Sequence, residues 1–296
     1  MKKFYSYLLI LLFLPCCKSK EKIEGHYPYT LNGTIADFAT YPLPFVPLIS
    51  AHRGGRYIEG YPENCLETFQ YIASKHDFII EMDIVMSRDS VLYLMHDRSL
   101  ERTTNGNGSS FNHSWDYISG LYLKDYKGQL TSYKVSTLEN VLQWADGNAF
   151  LSLDIKRGTD RKLLLKLLYQ YETYRFAEII TYSAEEVTFY KDHAPEFILS
   201  ANVRNEDELD RVLATGIEKY RIKPFLGTSR KSKDFIQKLH DMGWVTTLGT
   251  LGNIDAQAQA RGFRIYDELI ETGVDIFATD YPLEVAEYFY GNTVKQ

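Results

Sequence analysis

Short apolar runs and amphipathic stretches alternate along almost the whole chain, and this alternation limits what it can fold into. Strand-like runs fall at about 47–52, 78–85, 150–155, 178–182, 197–202, 219–224, 244–249 and 275–279, judged by length, apolar pattern and bounding turn residues. Helical patterns lie between them near 64–75, 137–146, 160–171, 184–192, 205–215, 230–242, 261–272 and 283–290. Several open on a capping residue such as Thr137, Ser183 or Asn205. Eight such alternations over about 240 residues predict an α/β fold, a closed (β/α)8 TIM barrel, in preference to an open doubly wound sheet. No glycine-rich dinucleotide fingerprint follows the first strand, and no short solenoid repeat is present. An extra run, "VLYLMHD", predicts a small hairpin or loop insertion after the second strand.

With 296 residues, 45% of them hydrophobic and 24% charged, the chain suits one large globular domain better than a disordered segment. Its start, "MKKFYSYLLILLFLPCCKSKEK", has two lysines, eight apolar residues from Tyr7 to Leu14, then paired cysteines. That is the layout of a secretory signal, and the run is far short of the roughly 20 residues a spanning helix needs. "LPCC" looks like a loose bacterial lipobox, with Cys17 as the residue that would carry lipid. The alternative is a plain secretory signal cleaved nearby. Either way the expectation is an exported protein: signal over 1–17, tether and arm over 18–44, barrel over 45–296. Cleavage before Cys17 removes Lys2 and Lys3 and takes the net charge from −6 to −8, a poor balance for a nucleic-acid partner. Cys65 would then be the one free thiol, which excludes a disulfide framework.

In a TIM barrel the chemistry sits where strands end. The first run, in "ISAHRGGRYIEGYPENCLETF", ends on His52 and Arg53, residues costly to bury and unnecessary for packing. The second carries Glu81 and Asp83, which at spacing i, i+2 share one face. His96 and Asp97 close the hairpin run, and Asp154 and Lys156 sit at i, i+2 in "LSLDIK". Unpaired carboxylates on a buried face repel unless a cation joins them. Glu81, Asp83 and Asp154, without clustered cysteine or histidine ligands, favour one hard divalent cation, Ca²⁺ or Mg²⁺, over zinc. His52 and His96 suit an acid and base near neutrality. Arg53 and Lys156 suit a phosphoryl group. Together these residues describe metal-assisted phosphoester cleavage.

The segments "AHRGG", "PENC", "EMDIVMSRDSVLYLMHDRSLERTTNGNG", "VSTLENVL", "LSLDIK" and "GVDIFATDYPLEVAEY" are similar to the glycerophosphodiester phosphodiesterase family over roughly residues 47 to 290. The resemblance implies a (β/α)8 barrel, a divalent metal held by Glu81, Asp83 and Asp154, and acid/base histidines at His52 and His96. It also implies substrate contacts from Arg53, Glu63, Asn64 and Lys156. The third metal acid is usually Glu in the family and is Asp154 here, one methylene shorter. PENT has become PENC, which places Cys65 at the helix start, and "WVTTLGTLGN" matches the family only in part.

The function expected is hydrolysis of a small-molecule glycerophosphodiester to sn-glycerol 3-phosphate and an alcohol. Alternatives are a related phosphodiesterase for lysophospholipid, glycerophosphoinositol or polymeric glycerol phosphate, and a lipoprotein that binds phosphorylated ligands without turnover. The aromatic-rich segment 111–133 is expected to cover the barrel, and Gly54 and Gly55 to let the backbone turn towards substrate.

Overall fold

A computed structural model describes residues 33–43 and 47–291. The leader, the lipobox with Cys17 and most of the tether lie outside the described residues. Eleven strands follow in chain order: β1 Leu48–Ala51, β2 Ile79–Met86, β3 Leu92–Leu94, β4 Tyr122–Lys124, β5 Leu130–Lys134, β6 Phe150–Ile155, β7 Ala177–Thr181, β8 Ile198–Asn202, β9 Ile222–Phe225, β10 Thr247–Gly249 and β11 Ile276–Thr279. Eight of them, β1, β2 and β6 to β11, pair in parallel in that order, and β1 pairs with both β11 and β2. The sheet therefore closes into the expected barrel.

The strands form because both of their faces find cover. In β2, Glu81 and Asp83 share one face, while Ile80, Met82 and Ile84 on the other join the main apolar core. Helices return the chain between barrel strands. Thr137, Ser183 and Asn205 cap three of them, each accepting a backbone N–H three residues on. Among the described residues no helix is long and apolar enough to cross a membrane.

Some boundaries differ from the sequence pattern for local reasons. Residues 219–221 form a 3-10 turn before β9, and β10 is shorter than the apolar run that contains it. A helix at Asn253–Arg261 was not anticipated, because "NIDAQAQAR" has almost no apolar stripe. It ends at Gly262, so the helix expected over 261–272 narrows to Ile265–Glu271. The arm contributes directly to the core: Ile35 and Phe38 are buried, with the Phe38 and Phe150 ring centroids 5.0 Å apart at the strand-start end of the barrel.

The insertion between β2 and β6 is larger than a hairpin. β3 runs antiparallel to β2, a helix spans Trp115–Ser119, and β4 and β5 form a separate two-stranded sheet. A second apolar cluster, including Cys65, Tyr93, Leu100, Ile118 and Leu123, with Phe111, Trp115 and Tyr133 against it, packs this unit on the barrel. Tyr117, Tyr122 and Tyr126 remain exposed. The cover expected of segment 111–133 is thus made by only part of its aromatics.

Candidate active site

β1 hands the chain to a tight 3-10 turn, His52–Gly54, in which Arg53 adopts φ 56°. Asn64 takes φ 53°. Such left-handed backbone costs non-glycine residues about 1–3 kcal/mol and persists only where surroundings hold it. Here the surroundings are the acids of β2. The Arg53 N–H donates to Glu81 Oε2 at 2.8 Å. Asn64 donates through Nδ2 to Asp83 Oδ2 at 2.6 Å and accepts from the Asp83 N–H at 2.9 Å. Asn64 is buried and both ends of its amide are committed to Asp83, and the helix starts only at Leu66. Gly54 and Gly55 take φ 78° and 101°, as the expected tight turn requires, and a Cβ at Gly54 would also stand 2.5 Å from the Phe69 ring.

Pairing of β2 with β6 sets Asp83 opposite Asp154. Glu81, Asp83 and Asp154 each offer a carboxylate oxygen, these atoms lie within 4.8 Å of one another, and all three residues are buried. Lys156 Nζ stands 2.6 Å from both Asp83 Oδ1 and Asp154 Oδ2, and Arg53 Nε is 3.3 Å from Asp83 Oδ2. Three acids thus face two cations. Burial, then the charges of Asp83 and Asp154, hold the Glu81 carboxyl well above the ordinary range. Burial would raise Asp83 too, but Lys156 and Arg53 outweigh it and hold that group low. Asp154 Oδ1 is buried without a hydrogen-bond partner, while its Oδ2 also accepts from the Tyr182 hydroxyl at 2.8 Å. An under-compensated, all-oxygen cluster fits a hard divalent cation.

His52 lies against this cluster, His96 is near enough for its charge to act on Asp83, and each histidine is backed by a carboxylate. His52 Nδ1 lies 2.7 Å from Asp280 Oδ1. A carboxylate can only accept, so Nδ1 carries the proton and Nε2 is turned to the cluster, 4.0 Å from Glu81 Oε2. Asp280 was missed by sequence reasoning, although an acid just past the last strand in "FATDYP" was the available signal. His96 Nδ1 lies 2.7 Å from Asp97 Oδ1. Arg102 then clasps Asp97 at 2.5 and 3.0 Å and Glu63 at 2.7 and 2.8 Å. Burial opposes ionisation of Asp97, but Arg102 and His96 outweigh it and pull the carboxyl to about 2. Glu63 also accepts from Arg53 Nη1 at 3.0 Å, and it too is held low because Arg102, Arg53 and Arg56 overcome its burial. Arg102 was likewise missed, its clasp being visible only in three dimensions.

Fold and site together define a TIM-barrel protein with a buried three-carboxylate cluster, a carboxylate-backed histidine just past β1 and a second one, His96, in the insertion just past β3. The model of the glycerophosphoryl diester phosphodiesterase family matches residues 52–284, and the chain belongs to that family. A solved glycerophosphoryl diester phosphodiesterase from Parabacteroides distasonis is 31% identical, with TM-score 0.78, over 86% of this chain and 89% of that one. An Oleispira antarctica phosphodiesterase, solved in complex with the product sn-glycerol-3-phosphate, shares the fold at TM-score 0.66 and 19% identity, over 82% of this chain and 96% of that one. Bacillus subtilis glycerophosphodiester phosphodiesterase is 33% identical over 135 residues, 40% of this chain and 45% of that protein. The chain spans less than half the length of the curated relatives it matches.

Proposed function

We propose that this protein hydrolyses glycerophosphodiesters to sn-glycerol 3-phosphate and an alcohol, with one divalent cation, Ca²⁺ or Mg²⁺, as cofactor. The observation that carries the reading is the pair of carboxylate-backed histidines, His52 with Asp280 and His96 with Asp97, beside a three-carboxylate cluster. A module that only binds ligand has no need of an acid/base pair. Glu81, Asp83 and Asp154 would hold the cation, whose charge when bound polarises the phosphoryl group. Arg53 and Lys156 donate to phosphoryl oxygens as charge builds there. One histidine takes the proton of the nucleophile, water or the glycerol 2-hydroxyl. The other protonates the leaving alkoxide. Glu63 and Asn64 support Arg53 and Asp83 respectively, which makes their contribution to substrate binding indirect. The product seen in the Oleispira phosphodiesterase agrees with glycerol 3-phosphate as the product here.

The sequence of the first 17 residues supports export and anchoring through lipidated Cys17, on the periplasmic or cell-surface side of a membrane. Cys17→Ser should abolish incorporation of labelled fatty acid, and labelling that persists would refute the anchor.

The test of the activity uses the form lacking residues 1–17 with a panel of glycerophosphodiesters. Release of glycerol 3-phosphate should vanish with EDTA and return with Ca²⁺ or Mg²⁺. A folded protein that releases none from any member overturns the proposal.

A further inference from the structure

Tyr182 stands just past the end of β7, the strand next to Asp154 on β6. It is 54% exposed, and among the described residues its ring joins neither apolar cluster, so packing does not account for it. The hydroxyl nonetheless turns inward and donates to Asp154 Oδ2 at 2.8 Å. The backbone is pinned for this: the Tyr182 N–H donates to Glu186 Oε2 at 2.8 Å, in the first turn of the helix Ala184–His193. Arg161 holds the other oxygen of that carboxylate at 2.5 Å.

What the hydroxyl does follows from the two oxygens of Asp154. Oδ2 takes two donors, Tyr182 and Lys156 Nζ at 2.6 Å, whereas Oδ1 is buried with no hydrogen-bond partner. The terminal torsion of an aspartate is soft and its two oxygens are equivalent until donors distinguish them. Rotation of this carboxylate would break both bonds to Oδ2. Lys156 cannot hold it alone, because the same ammonium is 2.6 Å from Asp83 Oδ1 and, in the reading above, turns to the phosphoryl oxygens. Tyr182 is a neutral donor, so it orders Asp154 without adding to the positive charge that a cation would meet.

From this we infer that Tyr182 is a positioning residue for the cation site, its hydroxyl holding the Asp154 carboxylate so that Oδ1 is left open to a hard divalent ion. The inference rests on the divalent-cation reading and deepens it.

The test measures Ca²⁺ and Mg²⁺ binding to the full chain in detergent by titration calorimetry, with a thermal melt in EDTA beside it. Outer partners of a ligating carboxylate contribute about 10–100-fold in metal affinity. Tyr182→Phe, which keeps the ring and removes only the hydroxyl, should raise Kd for the tighter-binding ion by about that factor and leave the EDTA melt unchanged. Tyr182→Leu, which removes the ring as well, should bind no more weakly than Tyr182→Phe. A wild-type Kd in Tyr182→Phe overturns the inference. So does a Leu variant far weaker than the Phe one, because the ring and not the hydroxyl would then be acting. A loss of affinity that comes with a lower EDTA melt assigns Tyr182 to folding and overturns it too. Each of these results leaves the cation reading standing. Wild type that binds neither ion overturns that reading and the inference with it.

Discussion

Replacing Asp280 by Asn keeps the shape of the side chain that backs His52 and removes its charge. In wild type the Nδ1–H of His52 donates to Asp280 Oδ1 across 2.7 Å, with the two side chains 15% and 4% exposed. Hydrogen bonds to charged groups contribute about 1.5–3 kcal/mol. Asn can in addition present its NH₂ to Nδ1, which moves the ring proton to Nε2, the nitrogen facing the cluster. His52 would then hold the wrong tautomer for accepting a proton and would lack the charge that stabilises an imidazolium. Loss of a general acid or base costs about 10²–10⁴ in rate, or about 2.7–5.4 kcal/mol at 1.36 kcal/mol per decade. The expected result is a fall of kcat in that range with KM within a few-fold. The fold should tolerate the change, because the Asp280 backbone N–H keeps its 2.8 Å bond to Asp255 Oδ2. The assay is steady-state release of glycerol 3-phosphate with saturating cation, alongside a thermal melt. A kcat within threefold of wild type in a protein that melts normally would refute the positioning of His52 by Asp280.

Arg102→Leu removes the clasp on Glu63 and Asp97 and should lower kcat at least tenfold; Arg102→Lys should recover only part of it, since an ammonium cannot reproduce the paired geometry. Equal kcat for Lys and Arg would show that charge alone suffices. The Asp97 carboxyl falls on folding from 3.8 to about 2, so its stabilisation is present above about pH 4 and is lost as pH drops through 2. Thermal melts from pH 5 to 2 should therefore fall more steeply for wild type than for Asp97→Asn, and parallel curves would contradict the shift. Burial, then Glu67, pushes the Cys65 thiol up to about 12. In the form lacking residues 1–17 it should resist a disulfide reagent at pH 8 until the protein unfolds, and rapid native-state labelling would refute its burial.

Much of the fold is legible along the chain because its causes are local. Strand and helix periods declare themselves over a few residues, and a strand end is where a barrel puts its chemistry. Polar residues that no core wants, such as His52, Glu81, Asp83 and Asp154, therefore stand out against an apolar run. Elements without a strong apolar face escaped: β5 alternates exposed and half-buried residues, and the helix Asn253–Arg261 buries few side chains.

The sequence by itself determined the eight-fold alternation and the polar candidate-site side chains on or just past its strands, since period and composition need no long-range partner. Tertiary structure alone decided what each of those side chains leans on. Asp280 reaches His52 across 228 residues because closure sets β1 beside β11. The left-handed turns at Arg53 and Asn64 exist because acids on β2 accept or exchange their hydrogen bonds. Glu178 and Lys223 meet inside the barrel although another strand lies between their own. Hydrogen bonds and ion pairs act over a few ångströms of space, and only the closed barrel brings residues so distant in sequence within that reach.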